Sequence, residues 1–292
     1  MDLSKYTVTV LGGDGREVEC VRQLLAEGAA VRTCGLPEGE GVEKASAHST
    51  VAEAVEGTHI IICPVPLPQP DGAIFSPHSA HKLYVDVDSL AGAVPGGVLV
   101  TGRAGPQMQE ASEKRGLKLR EYEQDEELMV LRAPAIAEGA IRIAIEHTEV
   151  TLHDNPCLIV GFGKIGPALA RTLAGIGARV TVAARNPLQR AKAWEMGCTA
   201  VPLDQLTSSA GRSRVIFNIA PARLLDRAVL ESLDTQTLLI DLAAPPGGID
   251  FDAARELGLT AIWGRGLGGR APRTVGQAQW KGIKAILEEE LG

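Results

Sequence analysis

The sequence predicts an α/β chain built from two doubly wound domains, and three observations carry that expectation. At 292 residues the chain is long enough for two domains of ordinary size. Apolar runs rich in Val, Ile and Leu alternate with helical patterns throughout, as expected of parallel strands joined by right-handed crossovers. Two strand-turn-helix units also share a spacing. Gly12 and Gly28 lie 16 residues apart, as do Gly161 and Gly177, and the units close on Gly-Ala-Ala-Val and Gly-Ala-Arg-Val.

The strands expected in the first half lie near 6–11, 29–34, 59–63, 83–87, 98–101 and 117–120. Those of the second half lie near 157–161, 179–184, 199–201, 214–219, 237–242 and 259–263. Continuously apolar strands such as Ile60-Ile61-Ile62 call for a sheet covered on both faces. Between the halves, Pro134 to about Asp154 reads as a helix with Ile141, Ala144, Ile145 and Thr148 on one stripe. The run from Val275 to Leu291 reads as another, burying Val275, Ala278, Ile283 and Leu287 and returning to the first domain. The expected organisation is two Rossmann-like domains linked by crossing helices, with an interdomain cleft. Residues 1–130 plus the C-terminal helix 275–292 form the substrate side, and 131–274 the nucleotide side.

Composition narrows the function. Hydrophobic residues make up 45% and charged residues 22%, a normal globular balance, while aromatics at 3% leave the cores to aliphatic residues. Residues 1–150 carry 13 basic and 23 acidic side chains, which argues against nucleic acid, whereas 151–292 carry 16 and 13, which suits a polyanionic small ligand. No apolar run reaches the roughly 18 residues of a membrane span, and the N-terminus has no signal-peptide pattern. Five cysteines without CxxC spacing read as core residues of a reducing compartment, so a cytoplasmic location is expected. His78 and His81 have HxxH spacing but no further ligands, and no metal is expected.

The motif that carries chemistry runs from Cys157 to Gly166, an apolar strand entering Gly161-Phe162-Gly163-Lys164-Ile165-Gly166 and then a helix. Gly161 permits the tight turn, Gly163 lets the backbone approach a pyrophosphate, and Gly166 lets the helix pack closely. Lys164 and Ile165 lie in the same turn. Unpaired N–H groups at the helix start then face the phosphates. The next strand decides which dinucleotide binds. It ends Ala184-Arg185-Asn186, with no carboxylate between Asp154 and Glu195 to accept a ribose 2′-hydroxyl. Arg185 is therefore placed for the 2′-phosphate of NADP(H), and Asn186 reads as a helix N-cap ahead of Pro187. Asn218, Ile219, Ala220, Leu242 and Gly266, on loops following later strands, complete the expected cofactor set.

The first-half copy reads Gly12-Gly13-Asp14-Gly15-Arg16-Glu17. Asp14 and Glu17 stand where the second and third glycines belong, and both oppose a pyrophosphate. This turn is expected to serve substrate instead, with Arg16 as an anion ligand.

At this point the residues resemble a known family, the A subunit of dipicolinate synthase from spore-forming bacteria. The resemblance rests on Gly12-Gly13-Asp14-x-Arg16, Glu138-Gly139, Ala144-Ile145-x-His147-Thr148, the glycine motif, Ala184-Arg185 and Glu195-Met196-Gly197. It continues through Asp241-Leu242-Ala243, Pro246-Gly247-Gly248-x-Asp250-Phe251, Ala271-Pro272-x-Thr274 and Gly276-Gln277. Two stretches depart from it: Arg265-Gly266-Leu267-Gly268-Gly269 stands for Pro-Gly-Leu-Pro-Gly, and Ala135-Ile136 for Pro-Thr. The resemblance implies NADP-linked formation of dipicolinate from a dihydro or hydroxytetrahydro precursor during sporulation, in the mother cell. It also implies a homo-oligomer and a partner, the flavoprotein-like B subunit.

Under that reading, alignment and carboxylate binding are the protein's main tasks, because aromatisation supplies much of the driving force. Arg16 and Arg273, on opposite halves of the chain, are the expected carboxylate ligands. Gly13 and Asp14 lie beside Arg16, and Thr101-Gly102 offers a hydroxyl and an N–H. Glu138, before the crossing helix, is the expected proton acceptor. A 2-hydroxyacid dehydrogenase is the rival enzyme class, but all six histidines precede the glycine motif and none lies in the loops facing a nicotinamide. A non-catalytic NADP-binding subunit is the rival outside enzymology.

Overall fold

The computed structural model of the chain describes every residue except 38, 40 and 124. The first elements in chain order are β1 (Thr7–Leu11), α1 (Gly15–Ala26), β2 (Ala30–Cys34), β3 (Ser46–His48), α2 (Val51–Val55) and β4 (Ile60–Ile62). Then come β5 (Ala73–Ile74), β6 (Leu83–Tyr84), β7 (Val98–Thr101), α3 (Pro106–Arg115), β8 (Lys118–Glu121) and α4 (Glu126–Glu146). The second half continues with β9 (Pro156–Val160), α5 (Gly166–Gly175), β10 (Arg179–Ala183), α6 (Pro187–Glu195), β11 (Thr199–Val201) and α7 (Leu206–Ala210). It ends with β12 (Val215–Asn218), α8 (Arg227–Leu230), β13 (Leu238–Asp241), α9 (Phe251–Glu256), β14 (Thr260–Trp263) and α10 (Pro272–Leu291).

These elements form two compact units, Met1–Leu131 with Ala271–Gly292, and Arg132–Arg270. The first unit contains a parallel sheet of order β3-β2-β1-β4-β7-β8. The second contains a parallel sheet of order β11-β10-β9-β12-β13-β14. In each, the order reverses at the first strand, so the loop after β1 or β9 opens at a topological switch point, where α/β sheets bind ligands. Both sheets are covered on both faces. In β4, Ile60 and Ile62 enter one core and Ile61 the other, all at most 1% exposed. In β9, Cys157 and Ile159 face one side while Leu158 and Val160 face the other.

α10 packs along α1 in the first unit and buries Val275, Ala278, Ile283 and Leu287. Gly276 permits the approach, since a Cβ there would lie 2.7 Å from the Arg16 carbonyl oxygen.

Several expectations are corrected. The helix read from Pro134 to Asp154 spans Glu126–Glu146 instead, with Pro134 inside it. Proline is favoured at a helix start, which misplaced the boundary; here its missing N–H removes one interior bond, that to the Val130 carbonyl. Ile145 leaves the expected stripe and is 60% exposed, while Thr148 lies beyond the helix and donates its hydroxyl to the Ala144 carbonyl at 2.8 Å. The apolar run 83–87 supplies only Leu83–Tyr84, paired antiparallel with β5 in a small separate hairpin. All five cysteines are buried, and none forms a disulfide among the described residues.

Candidate functional site

The two glycine turns start from the same backbone and end in opposite electrostatic states. Gly12 and Gly161 both hold positive φ, 59° and 91°, and each N–H donates to the end of the neighbouring strand, at Cys34 and Ala183, both at 2.8 Å. After Gly12 the chain satisfies its own helix start. Asp14 caps α1 by accepting from the Arg16 N–H at 3.0 Å, and Glu17 folds back to accept from the Asp14 N–H at 2.8 Å. The Glu17 carboxylate lies against Gly13, where a Cβ would collide with it. It is fully buried and also accepts from Gln279 Nε2 at 2.9 Å. Burial pushes the Glu17 carboxyl above its ordinary value, against the opposing pull of Arg16 and of its hydrogen bonds.

After Gly161 no such carboxylate exists. The residue capping α5 is Ile165, which offers no side-chain acceptor, so the first-turn amides of that helix keep their donor capacity. A Cβ on Gly163 would meet nothing within 4 Å, which leaves the backbone open to close approach. At Gly161 a Cβ would sit 3.1 Å from the Ala220 nitrogen, and at Gly166 it would sit 2.9 Å from the Phe162 ring. The third glycine therefore keeps the helix close to its own turn.

A cavity of about 410 Å³ opens on this turn, with Gly161, Gly163, Arg185, Asn186, Ile219 and Ala220 among its walls. Ala183, Ala184, Leu203 and Leu224 give it an apolar side. Asn186 caps α6 by accepting from the Leu188 N–H at 2.8 Å, with Pro187 as the first helical residue. The Arg185 side chain is exposed, and no partner for its guanidinium is found among the described residues.

Other expected site residues are used differently. Asn218 is fully buried. Its amide nitrogen donates to Asp241 Oδ1 at 2.8 Å and to the Ala220 carbonyl at 3.0 Å. Asp241 accepts in turn from the N–H groups of Ala243, Gly248 and Ile249. Asn218 thus shapes the loop that carries Ile219 and Ala220 and does not itself line the cavity. Leu242 packs on the core beneath α4, and Gly266 holds φ 68° before the turn Leu267–Arg270; neither lines the cavity. Lys164 is exposed at the turn.

In the first unit the expected substrate groups are already committed. Arg16 is 8% exposed and grips Asp14 through two bonds, Nε to Oδ1 at 2.8 Å and Nη2 to Oδ2 at 3.0 Å. The Gly13 N–H donates to the Phe75 carbonyl at 2.7 Å. The Thr101 hydroxyl donates to the Arg103 carbonyl at 3.3 Å, and the Gly102 N–H points at the Pro64 carbonyl at 3.4 Å. Arg273 is exposed in the first turn of α10 and belongs to the same unit as Arg16, not to the opposite one. Glu138 does not begin a helix. It lies twelve residues into α4 and pairs with Arg270. Among the described residues, no group of three or more His, Cys, Asp or Glu could hold a metal ion, and no helix is long and apolar enough to cross a membrane.

Sequence reasoning missed Glu17 as an occupant of its own turn and Arg190 as a clamp on the cavity rim. Arg190 had a readable signal: it shares with Arg185 the carboxylate-free stretch between Asp154 and Glu195.

An open glycine turn at the switch point of a second doubly wound sheet defines a two-domain, nicotinamide-dependent oxidoreductase of the dehydrogenase class. Residues 135–244 match the D-isomer specific 2-hydroxyacid dehydrogenase NAD binding domain, and residues 7–123 match the N-terminal domain of the dipicolinate synthase A subunit. Over its whole length the chain is a relative of the A subunit of dipicolinate synthase, in keeping with its motifs. It is 28% identical to that protein from Bacillus subtilis (strain 168), covering 98% of this chain and 97% of the relative. The crystal structure of the Bacillus subtilis protein superposes with a TM-score of 0.86 over the same shares. The corresponding structure from Bacillus halodurans gives 0.89 at 25% identity, covering 98% and 99%. D-lactate dehydrogenase from Escherichia coli shares the fold, with a TM-score of 0.62 at 16% identity over 97% of each chain.

Proposed function

We propose that the chain is an NADP-dependent dehydrogenase that completes dipicolinate from a partly reduced pyridine dicarboxylate precursor, working beside a flavoprotein-like B subunit. The observation that carries this reading is the contrast between the two glycine turns. One is filled by the chain's own carboxylates, and the other is left open beside an arginine that has no partner among the described residues. An open helix start, an uncrowded Gly163 and a cavity of about 410 Å³ fit a dinucleotide phosphate.

Bound NADP supplies a hydride acceptor. The chain's residues do the rest. The N–H groups of the turn 163–166 hold the pyrophosphate, and Arg185 takes the 2′-phosphate through charge-assisted hydrogen bonds. The apolar wall of Ala183, Ala184, Leu203 and Leu224 excludes water from the adenosine. Lys164 adds positive charge at the turn. Arg273 is a proposed ligand for a substrate carboxylate. Arg16 acts on substrate only if it exchanges its grip on Asp14. Glu138 is the proposed proton acceptor, its carboxylate oriented by Arg270.

The test is turnover by the isolated chain. NADP with freshly generated dihydrodipicolinate should yield the absorbance of dipicolinate together with that of NADPH. NAD should serve poorly. Absence of NADPH formation, with the cofactor bound, would assign the chain a binding role and leave chemistry to the partner.

A further inference from the structure

Arg190 lies in the first turn of α6, three residues past Pro187, and its side chain runs backward over the helix start. Its Nη1 donates to two consecutive carbonyls, Ala184 at 2.8 Å and Arg185 at 2.7 Å. Two further groups of this connection are held as well. The Ala184 N–H donates to the Val201 carbonyl at 3.1 Å, and Asn186 caps the Leu188 N–H. The backbone that carries Arg185 is therefore tied to β11, to α6 and to Arg190, while the Arg185 side chain projects free at the cavity rim.

The charge arrangement is unfavourable without a ligand. A cation in the first turn of a helix opposes the helix dipole, where a carboxylate belongs. Here the Arg190 guanidinium lies at the start of α6 with Arg185 two residues before that helix, no acidic residue occurs from 155 to 194, and Arg190 makes no ion pair among the described residues. An anion at the rim would relieve this concentration of positive charge.

We propose that Arg190 is a positioning residue that determines cofactor specificity. By clamping the Ala184 and Arg185 carbonyls it presets Arg185 for a ribose 2′-phosphate and adds to the field that holds it. The inference rests on the NADP reading above and goes beyond it, because it assigns selectivity to a residue outside the cavity wall.

The experiment compares 2′,5′-ADP with 5′-AMP as probes on the full chain by calorimetry, so that only the 2′-phosphate differs. Arg190→Gln should weaken 2′,5′-ADP about tenfold, the scale of one charge-assisted hydrogen bond, and leave 5′-AMP unchanged. Arg190→Lys, which keeps a cation able to reach both carbonyls, should recover part of the loss. In an Arg185→Ala background, Arg190→Gln should cost much less than it does alone, because the two residues act as one unit. Equal weakening of both probes, or full additivity with Arg185→Ala, would overturn the positioning role while leaving NADP preference intact. A wild-type chain that binds the two probes alike would overturn the NADP reading itself, and this proposal with it.

Discussion

Replacing Gly163 with Asp would write the chemistry of Asp14 into the open turn. The backbone accommodates the change: a Cβ at this position has no neighbour within 4 Å, and Gly163 is not among the glycines with positive φ. Folding should be unaffected, because position 163 lies two residues before Ile165, the N-cap of α5, and a Cβ there meets no neighbour. Binding should not survive. One carboxylate about 4 Å from a phosphate charge costs about 4 kcal/mol at the effective dielectric of a protein surface. That is about a thousandfold in dissociation constant. Calorimetric titration with NADPH and thermal unfolding of the unliganded chain read the two effects separately. Gly163→Asn supplies the neutral control of nearly the same size, and should lose far less affinity. Normal NADPH affinity in Gly163→Asp would refute the placement of the pyrophosphate. A loss as large in Gly163→Asn would show that bulk, and not charge, closes the turn.

Arg185→Ala should weaken NADPH by about 1–3 kcal/mol, the range for a lost hydrogen bond to a charged group, and leave NADH and the melting temperature unchanged. Paired titrations with the two cofactors check this, and equal losses would mean a structural role. Glu17 makes stability depend on pH. Its carboxyl is raised from the ordinary 4.5 by burial, so the folded state binds more protons, and stability should fall as pH rises above about that value. Glu17→Gln should flatten this limb, as read by denaturant unfolding at pH 5 and pH 8. Trp280, the tryptophan of the first unit, can report it once Trp194 and Trp263 are replaced by Phe. Glu138→Gln should slow NADPH formation while keeping cofactor affinity; unchanged turnover would remove Glu138 from proton transfer.

The sheets were legible because their strands are short, apolar and bounded by turns, so β1, β4, β7 and β9 to β14 fall where the aliphatic runs lie. β3 was not legible: Ser46-Ala47-His48 is an exposed edge without an apolar signature. α4 was misread because its first turn, Glu126-Glu127, looks like loop and Pro134 looks like a start. Burial on both sides of Pro134, at Leu128 (1%) and Ala133 (1%) before it and at Ala135 (4%) and Ala137 (0%) after it, holds the helix together across the proline. In the site, the glycine turn, Arg185 and the Asn186 cap followed from local spacing. The commitment of Asn218 depends on Asp241, brought alongside by strand pairing, whereas those of Arg16 and Thr101 are to Asp14 and Arg103 two residues away, where the local turn and not residue type decides the partner. The placement of Arg273 beside α1 in the first unit likewise follows from α10, whose amphipathic face is readable but whose first turn is not.

Glu17 gives the two turns different relations to the world outside the chain. In the first unit the carboxylate arrives with the polypeptide, so closing the turn is part of folding and depends on pH but on no solute that must be bound. In the second the anion must be borrowed, and stability gains RT ln(1 + [L]/Kd) from whatever dinucleotide is present. A fall in cofactor supply therefore loosens one half of the molecule and leaves the other untouched. Proteolysis or hydrogen exchange along α5 and α6 should track nucleotide concentration, while the same measurement along α1 should register only pH.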